Sequence, residues 1–80
     1  MDILDKLTGV FREVFLDESI NLTLLTSAND IDGWDSFAHL NIIMSVEQAF
    51  NIEITDTEVP TLRNINALVL LISTKTSQEK

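Results

Sequence analysis

Residues 35–51 read DSFAHLNIIMSVEQAFN. Asp35 is a residue type whose side-chain oxygen accepts a hydrogen bond from a free N–H of a first helical turn. Asn51 suits the left-handed C-cap that closes many helices. At 100° per residue, His39, Ile42, Ile43, Val46 and Phe50 fall within about 100° of one another, and Phe37, Leu40 and Met44 cluster on roughly the opposite side. The stretch therefore predicts a helix that starts at Ser36, ends at Phe50 and carries two apolar faces. One face suffices for a core. The other, edged by Asn41, Glu47 and Gln48, has the make-up of a docking surface if it stays exposed. The alternative is a central helix buried on both sides, which a chain this short has few elements to cover.

Working toward the N-terminus, residues 17–34 are rich in Ser, Thr, Asn and Asp and are punctuated by Leu22, Leu24, Leu25, Ile31 and Trp34. They predict a long loop pinned to the core by those apolar anchors. Before it, Ile3, Leu4, Leu7, Val10, Phe11, Val14 and Phe15 recur at three- and four-residue steps within an arc of about 120°, an amphipathic first helix. Asp2 and Asp5 suit its positive end. Toward the C-terminus, Asp56 to Val59 before Pro60 allows one short helical turn. Asn64 can cap a last helix whose Ile65, Leu68, Val69 and Ile72 share a face, with Lys75 at its end and Leu70 nearly opposite the stripe. The reading is all-α, a small helical bundle of three main helices plus one short helix, with one domain over residues 1–75 and a frayed tail over 76–80.

Eighty residues hold 13 acidic and 5 basic side chains, a formal charge of −8, and no cysteine. With neither disulfide nor thiolate site, stability must come from packed apolar faces. The charge opposes nucleic acid and anionic lipid, whose recognition rests on lysine and arginine, and favours basic protein partners. From Glu13 to Leu62 there is no lysine or arginine at all, so a one-signed field surrounds the start of the second helix. The chain opens Met-Asp without a basic, apolar leader, and its longest apolar run, Ala67 to Ile72, is far too short to span a bilayer. No export signal and no membrane association are expected, a cytoplasmic location follows by default, and a monomer is expected.

Ser36 stands one residue inside the second helix. The free N–H groups and positive end of that helix favour an anion on its hydroxyl, and Gly33 leaves room for an enzyme to approach. Asp-Ser is also an ordinary capping pair, so the dipeptide alone does not decide. The longer text, Asp35-Ser36-Phe37 through Met44, Glu47 and Phe50 to Ile52-Glu53-Ile54, resembles the acyl carrier protein family. In that family a helical bundle presents Asp-Ser-Leu at the start of its second helix, and the serine receives 4′-phosphopantetheine from coenzyme A. The resemblance spans nearly the whole chain and implies that Ser36 is the attachment site. It further implies that Asp35 helps hold magnesium and coenzyme A in the complex with a phosphopantetheinyl transferase. Phe37, Leu40, Asn41, Met44, Glu47 and Gln48 would meet that transferase and acyl-transferring or acyl-activating enzymes with basic docking patches. Acyl groups would be carried as thioesters on the arm in fatty acid, polyketide or related biosynthesis, with no turnover of the chain's own.

Phe37 stands where leucine is usual in the family, Asn41 and Gln48 where carriers of fatty acid synthesis commonly have glutamate, and Asn51 where glycine is frequent. Fewer acids weaken docking to basic patches, which leaves a dedicated pathway carrier as open as a fatty acid carrier. An aminoacyl or peptidyl carrier, and an acidic adaptor that docks through Phe37, Leu40 and Met44 without modification, are the alternatives. A calcium loop fails, because the register set by Asp30, Asp32 and Gly33 puts Ala28 and His39 at its two end ligands. A hydrolytic triad of Asp35, Ser36 and His39 fails on geometry, since the histidine must lie between nucleophile and carboxylate. As the sole histidine, His39 is expected in a structural role.

Overall fold

The computed structural model describes residues 2–77 and contains three α-helices. They are α1 (Ile3–Phe15), α2 (Ser36–Phe50) and α3 (Ile65–Ser77), joined by loops that hold 3₁₀ turns at Ala28–Asp30 and Val59–Thr61. Each α-helix starts where its cap chemistry dictates. Asp2 accepts the N–H of Asp5 at 2.8 Å, Asp35 that of Ala38 at 2.9 Å, and Asn64 that of Ala67 at 2.8 Å. Asn51 closes α2 in the left-handed region with φ 56°. Leu16 does the same for α1 with φ 52°, although it has no glycine-like freedom, and the Asp17 N–H bonds back to the Arg12 carbonyl at 3.0 Å.

The core lies where the three apolar stripes meet. Leu7 and Phe11 of α1, Ile42 and Val46 of α2, and Ile65, Leu68 and Ile72 of α3 are all fully buried. Each such side chain contributes about 1.5–3 kcal/mol of burial. Val69 packs half-buried at the edge of the α3 stripe, and Leu70, 59% exposed, stands apart from it.

The long loop is fastened at both ends. The Arg12 guanidinium donates to the Ile20 carbonyl at 2.8 Å and to Asn21 Oδ1 at 2.9 Å, which folds the loop back along α1. Farther on, the Ala28 N–H bonds to the Arg63 carbonyl at 2.9 Å and the Ile65 N–H to the Thr26 carbonyl at 2.8 Å, around a single bridge between Ser27 and Asn64. Leu22 and Trp34 anchor it as expected, and Ile31 packs half-buried. Leu24 and Leu25 do not: they are 48% and 90% exposed. The backbone bonds that clamp this loop left those two side chains facing outward.

The short helix expected over Asp56 to Val59 lies instead at Val59–Thr61. Asp56 to Glu58 form a turn closed by the Glu58 N–H on the Thr55 carbonyl at 3.0 Å. Pro60 falls inside the first turn of the 3₁₀ segment, where its missing N–H costs nothing. A 3₁₀ turn at Ala28–Asp30 adds local order that the loop's composition did not announce. At the C-terminus, α3 runs to Ser77, two residues past Lys75, and the Thr76 hydroxyl bonds back to the Ile72 carbonyl at 2.8 Å. The rest of the expected tail, residues 78–80, lies outside the described residues.

Candidate functional site

The site is the N-terminus of α2. Asp35 has extended backbone, its Oδ1 takes the Ala38 N–H and its carbonyl takes the His39 N–H at 2.8 Å. The N–H groups of Ser36 and Phe37 are left without partners among the described residues. They form the positive end of a 15-residue helix. Ser36 is exposed, and its hydroxyl has no hydrogen-bond partner among the described residues. The second carboxylate oxygen of Asp35 is equally unengaged. A nucleophilic hydroxyl, two free N–H donors and a free carboxylate oxygen thus share one helix end.

The approach to Ser36 is held from behind. Gly33 has φ +89°, a conformation that favours glycine, and a β-carbon there would stand 3.8 Å from the Phe15 ring. Trp34 is buried and meets Phe11 edge to face at 5.1 Å. His39, 3% exposed, turns its ring inward. Its Nδ1 accepts from the Trp34 indole N–H at 3.0 Å, and its Nε2 bonds the Val59 carbonyl at 2.8 Å. Trp34 can only donate and a carbonyl can only accept, so the neutral ring carries its proton on Nε2. Neither nitrogen is left for Ser36, and a triad is excluded by connectivity. Sequence reading gave His39 a structural role but not these partners. The nearest signal was the single tryptophan five residues before the single histidine.

Along α2 the outer face emerges uncovered. Phe37 is 74% exposed, Leu40 54% and Met44 55%. Asn41, Met44 and Gln48 join Val14 and Ser45 along a groove beside α1. Glu47, at the edge of this face, also makes a structural bond. It is half-buried, and its Oε2 accepts the Ile54 N–H at 2.8 Å, tying the chain after α2 back onto the helix.

Two acids of the long loop are also engaged. Asp30 accepts from the Ser27 N–H at 2.9 Å. The Ser19 hydroxyl, and after it the Ser19 N–H, holds the Asp17 carboxyl below its usual range. Among the described residues no group of three or more histidines or acids converges on a metal position. None of the described helices is long and apolar enough to cross a membrane.

Taken together, a small bundle that displays an unbonded serine hydroxyl at a helix N-terminus, beside an apolar helix face, has the arrangement a carrier domain requires. The comparison with solved structures specifies which. The chain is 46% identical to a holo acyl carrier protein from Geobacter metallireducens whose structure was solved in solution by NMR. The match covers 99% of this chain and 91% of that one, with a TM-score of 0.89. The chain belongs to the acyl carrier protein family. No family model matches it, and no curated protein does.

Proposed function

We propose that the protein carries acyl groups on a 4′-phosphopantetheine arm attached to Ser36. The observation that carries this reading is the exposed, unbonded hydroxyl of Ser36 beside two free N–H groups. The surroundings fit the group: no side chain walls off the oxygen, and the helix end favours the phosphate charge that an attached arm would bring. When bound, the arm supplies the thiol that a chain without cysteine lacks. Attachment forms a bond from the Ser36 oxygen to phosphorus and breaks the pyrophosphate P–O bond of coenzyme A, so that the adenosine bisphosphate half leaves with the bridging oxygen and the serine proton is released to solvent or a base of the transferase. Ser36 provides the oxygen, and the free oxygen of Asp35 is available to a magnesium ion in the transferase complex. The similarity to a holo acyl carrier protein supports the same reading.

Partners are a phosphopantetheinyl transferase and acyl-transferring or acyl-activating enzymes that reach the arm across Phe37, Leu40 and Met44. The chain contributes presentation and partner choice and no turnover of its own, with fatty acid, polyketide or related biosynthesis as its setting. The test is mass spectrometry after incubation with a broad-specificity transferase, coenzyme A and magnesium. Wild type gains one phosphopantetheine and Ser36→Ala gains none. A wild type that stays unmodified makes the chain a docking adaptor instead.

A further inference from the structure

We propose that His39 is a positioning residue for modification at Ser36, acting through Trp34. The proposal rests on Ser36 being the attachment site. A residue on the packed face of α2 needs only to fill space, as Ile42 and Val46 do there. His39 instead spends both ring nitrogens on the two loops that flank the helix, one on Trp34 and one on Val59.

Trp34 is the residue so held, two positions before Ser36. All its polar groups are taken. Its N–H bonds to the Ile31 carbonyl at 3.3 Å, its carbonyl accepts from Arg63 Nη2 at 3.4 Å, and its indole N–H goes to His39 at 3.0 Å. Its ring meets that of Phe11 edge to face, with centroids 5.1 Å apart, and the His39 ring it bonds lies 5.9 Å away, centroid to centroid. Ser36 has no side-chain anchor of its own among the described residues, so the place of its oxygen follows from the chain that enters the helix. Phosphoryl transfer to a hydroxyl depends on alignment, and a displacement of about 1 Å costs up to about a hundredfold in rate. The other ring nitrogen of His39 bonds the Val59 carbonyl at the start of the 3₁₀ turn at 59–61.

Two substitutions divide the two bonds. In His39→Asn the amide oxygen stands near the Nδ1 position and still accepts from Trp34, while the donor to Val59 is lost. In His39→Gln the amide nitrogen reaches toward the Nε2 position and still donates to Val59, while Trp34 loses its acceptor. Trp34→Phe keeps the aromatic contacts and removes the indole N–H. The experiment measures kcat and KM for modification of each full-length variant by a broad-specificity transferase with coenzyme A. Helicity is followed by circular dichroism, and the single indole N–H resonance by NMR. His39→Asn is expected within about twofold of wild type, with the indole resonance in place. His39→Gln and Trp34→Phe are expected to fall about tenfold in kcat/KM at unchanged helicity, and the His39→Gln indole signal should move toward its solvent-exposed position. The proposal is overturned if His39→Gln and Trp34→Phe are modified at the wild-type rate. It is equally overturned if all three variants slow only in proportion to lost helicity, which would leave His39 a fold-holding residue. Failure of wild type to accept any phosphopantetheine overturns the attachment site itself, and the wild-type control tells that apart.

Discussion

Glu47 illustrates how one side chain can look like surface chemistry and act as structure. On a helical wheel it borders the outer face of α2, yet its carboxylate caps the Ile54 N–H at 2.8 Å. Removing that acceptor leaves a half-buried donor unsatisfied, at a cost of about 1–3 kcal/mol. Glu47→Ala should therefore lower the urea midpoint with an unchanged slope, whereas Glu47→Gln, which keeps an acceptor oxygen, should lose less than half as much. Equal losses in the two variants would mean that the charge, and not the hydrogen bond, holds residues 51–54 in place. The consequence for docking is electrostatic. With Asn41 and Gln48 neutral and Glu47 the one carboxylate on α2, half-buried with one oxygen bonded, the exposed strip of Phe37, Leu40 and Met44 offers a partner apolar area with little charge along the helix itself.

At the scale of the helix, burial and exposure separate cleanly by face. Ile42, Ile43 and Val46 are buried while Phe37, Leu40 and Met44 are not. If the outer face is the docking surface, then Phe37→Ala and Met44→Ala should each leave the unfolding free energy within about 0.5 kcal/mol of wild type. The same changes should lower transferase kcat/KM by about fivefold or more if either residue is a docking anchor. Thermal melts and modification kinetics on the same samples decide this, and a large stability loss would show that the face is core. Both faces were legible from the sequence because a helical period is local information, and so were the caps Asp35 and Asn64, which bond only three residues ahead. Loop contacts were not. Leu24 and Leu25 have no period to say which way they point. The bond from His39 to Val59 spans 20 residues, so no local pattern announces it. The shift of the short turn onto Pro60 was readable in principle, because proline fits a first turn better than it follows a last one.

For the whole molecule the deciding quantity is the charge of −8. The cations among residues 2–77 are turned to internal uses. Lys6 lies 5.0 Å from the Phe50 ring centroid, Arg12 holds the long loop, Arg63 reaches the Trp34 carbonyl, and Lys75 pairs with Glu58 at 3.3 Å. That last contact is the one ion pair among the described residues. Acids therefore repel one another with little compensation, and salt has opposite effects on folding and on docking. Raising the ionic strength shortens the screening length to about 10 Å at 0.1 M, so added sodium chloride should raise the melting temperature by several degrees. It should also slow association with a basic partner. Acid pH brings in a separate effect. The Thr55 N–H first, and Lys75 after it, hold the Glu58 carboxyl below its usual range, as Ser19 does for Asp17. A carboxyl that ionises more readily when folded stabilises the fold above its unfolded value and loses that contribution as pH falls through the folded value. These two groups therefore weaken the fold below about pH 4, whereas they are indifferent to pH near neutrality. Their solvent exposure keeps the contribution small. The double variant Asp17→Asn, Glu58→Gln should flatten the acid side of a stability profile measured by urea melts between about pH 7 and pH 3, while the stabilisation by salt at neutral pH persists. A salt response that vanished in this variant would place the relevant repulsion at those two residues and not across the molecule.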